Sequence, residues 1–169
     1  MKKIIFATLS ILIASFVSIA ANRSTGTKNI INTISDYKNV PGIEVTSIGK
    51  LGLGMVKAAG ILSADSEEDK AIFALLTDAN KLLVLDYKDA TAAKQKELNS
   101  KLSKLLNNVE KILEFKDEEE TVNIYGTAVN GGEHIKDLMI FIPEDYTLIC
   151  ILGSISTERI ADLIKTSNE

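Results

Sequence analysis

The chain has 169 residues, a formal net charge of −4 and a single cysteine. This length is typical of one domain with its own hydrophobic core, so a small fold held together by disulfides is not expected. The acidic balance argues against a nucleic-acid partner, because nucleic-acid binding requires clustered Lys and Arg side chains.

The N-terminal segment has the three parts of a cleavable secretory signal peptide. Two lysines form a basic start, an uncharged and mostly apolar run extends from Ile4 to Val17, and Ser18-Ile19-Ala20 supplies small residues before a cut at Ala21. We therefore predict a signal peptide over residues 1–20 and export to the periplasm or the extracellular space. Removal of the two leader lysines changes the formal net charge from −4 to −6. The alternative is an uncleaved inner-membrane anchor, because the uncharged residues from Ile4 to Ala21 number 18, which just reaches the length of a bilayer-spanning helix.

After a short, flexible lead-in over residues 21–27, the pattern predicts a single α+β domain over residues 28–169. Thr27 is expected to cap the first helix, and the Pro41-Gly42 turn is expected to end it. The next segment, Ile43–Ser47, is predicted to be a short extended piece.

The stretch Ile48–Leu62 is predicted to form the second helix, because Ile48, Leu51 and Met55 recur with a period near 3.6 residues. Its Gly49-Lys50-Leu51-Gly52-Leu53-Gly54 segment fits neither of the glycine patterns that bind phosphate. We interpret these glycines as small residues that let the helix pack closely on a neighbour. Because the stretch is apolar and carries only two lysines, attachment to a membrane surface is the alternative.

The middle of the chain is predicted to contain a third helix, a buried strand and a long fourth helix. An acidic loop, Ala64–Asp69, leads into the third helix, Glu67–Ala79, and Lys81–Tyr87 is the strand. The fourth helix is indicated by apolar residues that alternate in steps of four and three positions. These residues are Leu98, Leu102, Leu105, Val109 and Ile112.

The C-terminal part is predicted to form a three-stranded antiparallel meander followed by a helix that Ser156 caps. Turn residues at Asn130-Gly131-Gly132 and Pro143-Glu144-Asp145 separate the strands, which are Val122–Ala128, Ile135–Ile142 and Tyr146–Ile155. With Lys81–Tyr87, the meander gives a mainly antiparallel sheet of about four strands. The helices are expected to pack mainly on one face of this sheet.

Two segments, Glu44–Met55 and Leu148–Ser156, together with the order of the predicted elements, resemble the domain-of-unknown-function family 4252 (DUF4252). The resemblance covers the chain from about Lys28 to Ser167 and includes one glycine expected after the final strand, Gly153. It implies a small exported protein of Bacteroidetes-type bacteria. Because that family has no established activity, the resemblance implies no catalytic residue.

The side chains with catalytic chemistry do not form a complete set. Cys150 and His134 are the only cysteine and histidine. A hairpin at Pro143-Glu144-Asp145 places Cys150 opposite residues near 139 and His134 opposite residues near 155, which separates them by about 16 Å. Cys150 is therefore expected to be a buried, inert thiol in an apolar strand, and His134 a solvated edge residue.

Metal and cofactor sites are not expected. One Cys and one His cannot complete a zinc site. Two acidic clusters lack the residue spacing of a calcium-binding loop and are interpreted as solvated turns. These clusters are Asp65, Glu67, Glu68 and Asp69 in one, and Asp117–Glu120 in the other.

The sequence therefore favours a non-catalytic exported envelope protein that acts as a binding or protein-interaction module, with an envelope protein as its partner. Such a module should expose a contiguous apolar patch or an open sheet edge. One alternative is a membrane-surface protein that uses the Ile48–Leu62 helix. Another is a carboxylate-based hydrolase, which would need a pocket that gathers at least two titratable groups with shifted pKa values.

Overall fold

The computed structural model describes residues 23–63, 74–116 and 120–166. Its helices are α1 (Arg23–Asp36), α2 (Lys50–Ser63), α3 (Ala92–Leu106) and α4 (Thr157–Thr166). Its strands are β1 (Glu44–Gly49), β2 (Ala79–Asp86), β3 (Glu110–Lys116), β4 (Thr121–Val129), β5 (His134–Ile142) and β6 (Thr147–Ser156). The predicted signal peptide, the acidic loop Ala64–Asp69 and most of the predicted third helix lie outside the described residues.

All six strands form one antiparallel sheet with the order β1-β2-β6-β5-β4-β3. The α+β class and the C-terminal meander of β4, β5 and β6 are therefore confirmed. The expected size of the sheet is wrong, because β1 and β3 extend it from about four strands to six. These two additional strands form the outer edges of the sheet.

The sequence does not predict β3, because the apolar pattern of α3 continues past the point where the helix ends. The helix ends at Leu106, and the backbone N–H of Asn107 donates to the Ser103 carbonyl at 3.1 Å. Ile112 belongs to β3 and not to the helix. The pairing of β3 with β4 shifts between Lys111 and Leu113, which marks a β-bulge or similar irregularity. Such a bulge interrupts the alternation by which a strand is recognised in a sequence.

The first hydrophobic core lies between the sheet and helices α1 and α3. Thr91 caps α3, since its side-chain oxygen accepts a hydrogen bond from the Lys94 backbone N–H at 3.4 Å. One turn apart along α3, three leucines are completely buried and pack with Ile30 and Ile34 of α1. These leucines are Leu98, Leu102 and Leu106.

The second core lies on the opposite face of the sheet. It contains Leu53 of α2 and Leu75 and Leu76 before β2, with Ile160 of α4 packed against its margin. The prediction that helices cover mainly one face is therefore wrong. The central strands carry large apolar side chains on both faces, such as the adjacent Leu138 and Met139 of β5, so both faces must be shielded from water.

Several boundaries differ from the predicted ones. Helix α1 begins at Arg23, so it includes most of the expected lead-in, and Thr27 is a buried helical residue and not the N-cap. Ile48 lies in β1 and Ala79 begins β2, although both were assigned to helices. Gly153 lies inside β6 and not after it. Its backbone N–H donates a hydrogen bond to Asp137 Oδ1 of the neighbouring strand β5 at 3.2 Å.

Candidate interaction surface

Helix α2 exposes large apolar side chains to solvent. Leu51 is 87% exposed and Met55 is 70% exposed, while Val56 is 39% exposed. In contrast, Leu53 of the same helix is fully buried. The apolar residues of α2 therefore point in two directions, and only one of these directions leads to the core.

The periodicity of the helix explains this division. Leu51 and Met55 are four positions apart and share one face, whereas Leu53 is rotated from each of them by about 200°. Leu53 anchors the inner side of α2 in the second core. Gly54 and Ala58 are exposed on the same side as Leu51 and Met55. We call these four residues the α2 outer face.

Gly49 at the end of β1 and Gly54 of α2 do not have the packing role expected from the sequence. Within the described part of the chain, a Cβ atom built on Gly49 or Gly54 meets no atom within 4 Å. Of the described glycines at positions 49, 52 and 54, only Gly52 has a crowded Cβ position, and its neighbour is Ile48 Cγ2 at 2.9 Å, near the end of the preceding strand. The interpretation that these glycines allow close packing on another element is therefore wrong for Gly49 and Gly54.

An apolar outer face is unusual for a helix on the surface of a soluble domain. Such helices normally have one apolar stripe facing the core and a polar face toward water, and a helix that is apolar on all sides is normally buried. Among the α2 side chains that the structure describes, the exposed polar one is Lys50, at the first position of the helix. The α2 outer face is therefore an exposed apolar surface of the described fold.

Cys150 is a structural residue of the first core. Its side chain is completely buried. Burial raises the pKa of the Cys150 thiol to about 12, and the nearby Asp137 carboxylate acts in the same direction. The reactive thiolate is therefore strongly disfavoured at neutral pH.

The register of the β5–β6 hairpin keeps Cys150 away from His134. Cys150 pairs with Met139, and His134 pairs with Ser156, in agreement with the register predicted from the turn. Five residues of strand β5 therefore separate the levels of the two side chains, which corresponds to about 16 Å. This distance excludes a thiol–imidazole pair in the described fold.

His134 differs from its predicted environment. It begins β5, which lies between β6 and β4, so it is not on a sheet edge. The side chain is half-buried, and among the described residues its buried Nδ1 atom has no hydrogen-bond partner. The assignment of His134 as a solvated edge residue is therefore wrong.

A small polar cavity of about 190 Å³ lies where β1 begins and β2 ends. Its lining includes Glu44, Asp86, Lys88 and Asp89. Asp86 Oδ2 accepts from Lys88 Nζ at 2.9 Å, and Asp86 Oδ1 accepts from the Lys88 backbone N–H at 3.0 Å. Partial burial raises the pKa of Asp86, but these hydrogen bonds outweigh it and leave the pKa below its ordinary value. The pair therefore stabilises the turn after β2 in its charged form, which does not suit a general acid or base.

The described residues show no grouped metal ligands. Among them, no three His, Cys, Asp or Glu side chains lie close enough together to hold a metal ion. The acidic cluster from Asp65 to Asp69 lies outside the described ranges, and of the cluster Asp117–Glu120 only Glu120 is described. In these ranges, none of the helices combines the length and hydrophobicity needed to cross a bilayer.

Comparison with known proteins supports a family assignment without an activity. No curated protein and no solved structure matches the chain. A family model described as Domain of unknown function (DUF4252) matches residues 37–163, which include all six strands, α2 and α3. The match spans well over half of the chain, and the chain therefore belongs to the DUF4252 family.

Proposed function

We propose that this protein is an exported, non-catalytic interaction module and that the α2 outer face is its contact surface for another protein. The observation that supports the proposal is the exposure of Leu51 and Met55 on a helix whose inner side is already anchored by Leu53. Complete burial of a Leu or Met side chain contributes about 1.5–3 kcal/mol relative to an exposed position. Two such side chains on one face can therefore serve as the centre of a binding site.

A protein partner suits α2 better than a membrane surface does. Helices that lie on membranes usually combine a strongly basic polar face with large apolar anchors such as Trp and Phe. The α2 sequence contains two lysines, no arginine and no aromatic residue. Methionine, by contrast, is a flexible and polarizable side chain that adapts to irregular protein surfaces.

A non-catalytic role agrees with the placement of the reactive groups. Cys150 is buried and lies far along the sheet from His134. In the polar cavity, the Asp86–Lys88 pair is held in its charged state. Neither arrangement provides a nucleophile with an adjacent base, which most covalent hydrolases require.

The substitution Met55→Glu tests the contact surface. We expect it to reduce cross-linking to the dominant partner in intact cells by roughly tenfold or more, because a carboxylate cannot be buried at an apolar contact. Because Met55 is 70% exposed, the free energy of unfolding should change little.

Ser100→Glu is the matched control, because it adds the same charge at an exposed position of α3. Equal loss of cross-linking in both variants, or full retention in Met55→Glu, would contradict the assignment. Flotation of the protein with vesicles of phosphatidylcholine and phosphatidylglycerol tests the alternative, in which α2 binds a membrane surface. Flotation that Met55→Glu abolishes would favour the membrane-surface role instead.

Export is proposed from the leader, in which two lysines precede the apolar run and small residues precede Ala21. We expect protein recovered from the periplasm or the medium to begin at Ala21 when its N-terminus is determined by mass spectrometry. Protein that begins at Met1 in the inner-membrane fraction would identify an uncleaved anchor. Protein that begins at Met1 in the cytoplasmic fraction would contradict export.

A further inference from the structure

The two outer strands of the sheet differ in how well they are protected against pairing. In β3, four of the seven residues are charged, and the register shift between Lys111 and Leu113 interrupts its pairing with β4. Charged side chains and bulges are the usual means by which proteins block edge strands. Strand β3 therefore has the features of a protected edge.

Strand β1 lacks these features. Val45–Gly49 contains no charged residue and no proline. Its six residues pair with β2 in one continuous register, from Glu44 opposite Asp86 to Gly49 opposite Lys81. In the described part of the chain, no strand pairs with the other side of β1. Its outward backbone N–H and C=O groups are therefore positioned to accept a further strand.

We propose that β1 pairs antiparallel with β1 of a second copy of this chain, which joins the two sheets into one. This proposal rests on the sheet edge and is independent of the partner proposed for the α2 outer face. A twofold axis perpendicular to the sheet generates such a pair, because it reverses the strand direction and leaves each face on its own side.

The two faces of β1 restrict the register. Val45 packs against the core beneath α1 and α3, whereas Ile48 packs against the core beneath α2. Each residue meets one from its own face only when the axis passes beside a residue and not between two residues. Pairing along most of β1 then places the axis beside one of its two central residues, Thr46 or Ser47. Both registers place the exposed Thr46 residues of the two copies directly or diagonally opposite one another.

Charge at the ends of β1 is complementary in the same arrangement. Exposed Glu44 begins the strand and exposed Lys50 follows its last residue. In the described part of the chain neither side chain forms a salt bridge, although Glu44 interacts electrostatically with the nearby Lys88 of its own chain. Antiparallel pairing brings Glu44 of each copy beside Lys50 of the other at both ends of the interface, and it places no like charges opposite each other. The uncharged residues of β1, its antiparallel pairing and the opposite charges at its two ends are therefore all compatible with a second copy at this edge.

A charge-exchange experiment at Thr46 tests the proposal. Protein purified from cells that express the full chain is studied by sedimentation velocity over a concentration series into the high micromolar range. We expect the wild type to form a dimer. Thr46→Lys and Thr46→Glu should each weaken dimerisation by roughly tenfold or more, because like charges then face each other across the axis.

An equimolar mixture of Thr46→Lys and Thr46→Glu should restore the dimer, because opposite charges then meet. Ser103→Lys, an exposed position of α3, is the control and should dimerise as the wild type does. The same exchange at exposed Ser47 provides a second pair of variants if the first pair folds poorly. A wild type that stays monomeric throughout, Thr46 variants that dimerise normally, or a mixture as weak as its components would each overturn the proposal.

Discussion

Replacement of Leu102 by Ala is expected to lower the free energy of unfolding by about 2–5 kcal/mol. Leu102 is completely buried at the centre of α3, between α1 and the sheet. The substitution removes buried apolar atoms and leaves a cavity that the surrounding helix and strands can fill only in part. Urea denaturation monitored by circular dichroism measures this free energy, with the wild type and the Leu102→Ala variant fitted to the same two-state model.

Leu105→Ala is the matched control for this prediction. The sequence pattern placed Leu105 on the buried face, but the structure places it at the margin of the first core, with Leu106 fully buried instead. We therefore expect Leu105→Ala to cost less than about half as much as Leu102→Ala. Equal losses for the two variants would show that α3 is rotated relative to the described packing.

Gly42→Ala is expected to destabilise the fold by about 2–4 kcal/mol. Gly42 has a φ of +77°, a left-handed conformation that an alanine adopts only at a cost. A Cβ atom there would also clash with the backbone carbonyl of Asp89 and would lie 2.8 Å from Ala90 Cα. Because these atoms belong to the backbone, the turn after β2 would have to move.

Gly54→Ala is expected to have the opposite effect and to raise the free energy of unfolding by about 0.5–1 kcal/mol. Gly54 is inside α2, where alanine is the better helix former, and its Cβ position is open. The same denaturation experiment measures both variants. A loss of stability in Gly54→Ala would show that another part of the protein covers this side of α2.

Much of the fold could be predicted because local signals and tertiary packing agree. Turn residues at Asn130-Gly131-Gly132 and Pro143-Glu144-Asp145 separate the three C-terminal strands, and the observed meander follows these turn signals closely. Helix α3 was recognised from its apolar spacing. In α3 the apolar residues repeat with the period of a helix, and in the meander the turn residues mark where each strand ends.

Strand β3 and the second helical layer could not be predicted in the same way, whereas most of β1 had been expected as the extended piece Ile43–Ser47. The apolar residues around Ile112 continue the helical spacing of α3, and the irregular pairing near Lys111 removes the alternation that would have identified β3. The central strands are apolar on both faces, which shows that they are covered but not by which helices. Tertiary contacts determine where α3 ends and which helices cover each face of the sheet, and the local periodicity of the sequence does not show this.

The candidate surface was only partly readable from the sequence. The apolar character of Ile48–Leu62 was evident, and it led to a membrane surface as the alternative role. Periodicity alone could not show which leucine is buried, because Leu51 and Leu53 are chemically identical and lie on a helix with apolar residues on both sides. The burial of Leu53 against the sheet distinguishes them and leaves Leu51 with Met55 outside.

Site-specific photo-cross-linking in intact cells tests most directly whether the α2 outer face contacts another protein. A photoreactive residue at position 55 should give one dominant protein adduct, and the same residue at position 100 on α3 should not give that adduct. The absence of a protein adduct from position 55, or the same adducts from both positions, would contradict the claim.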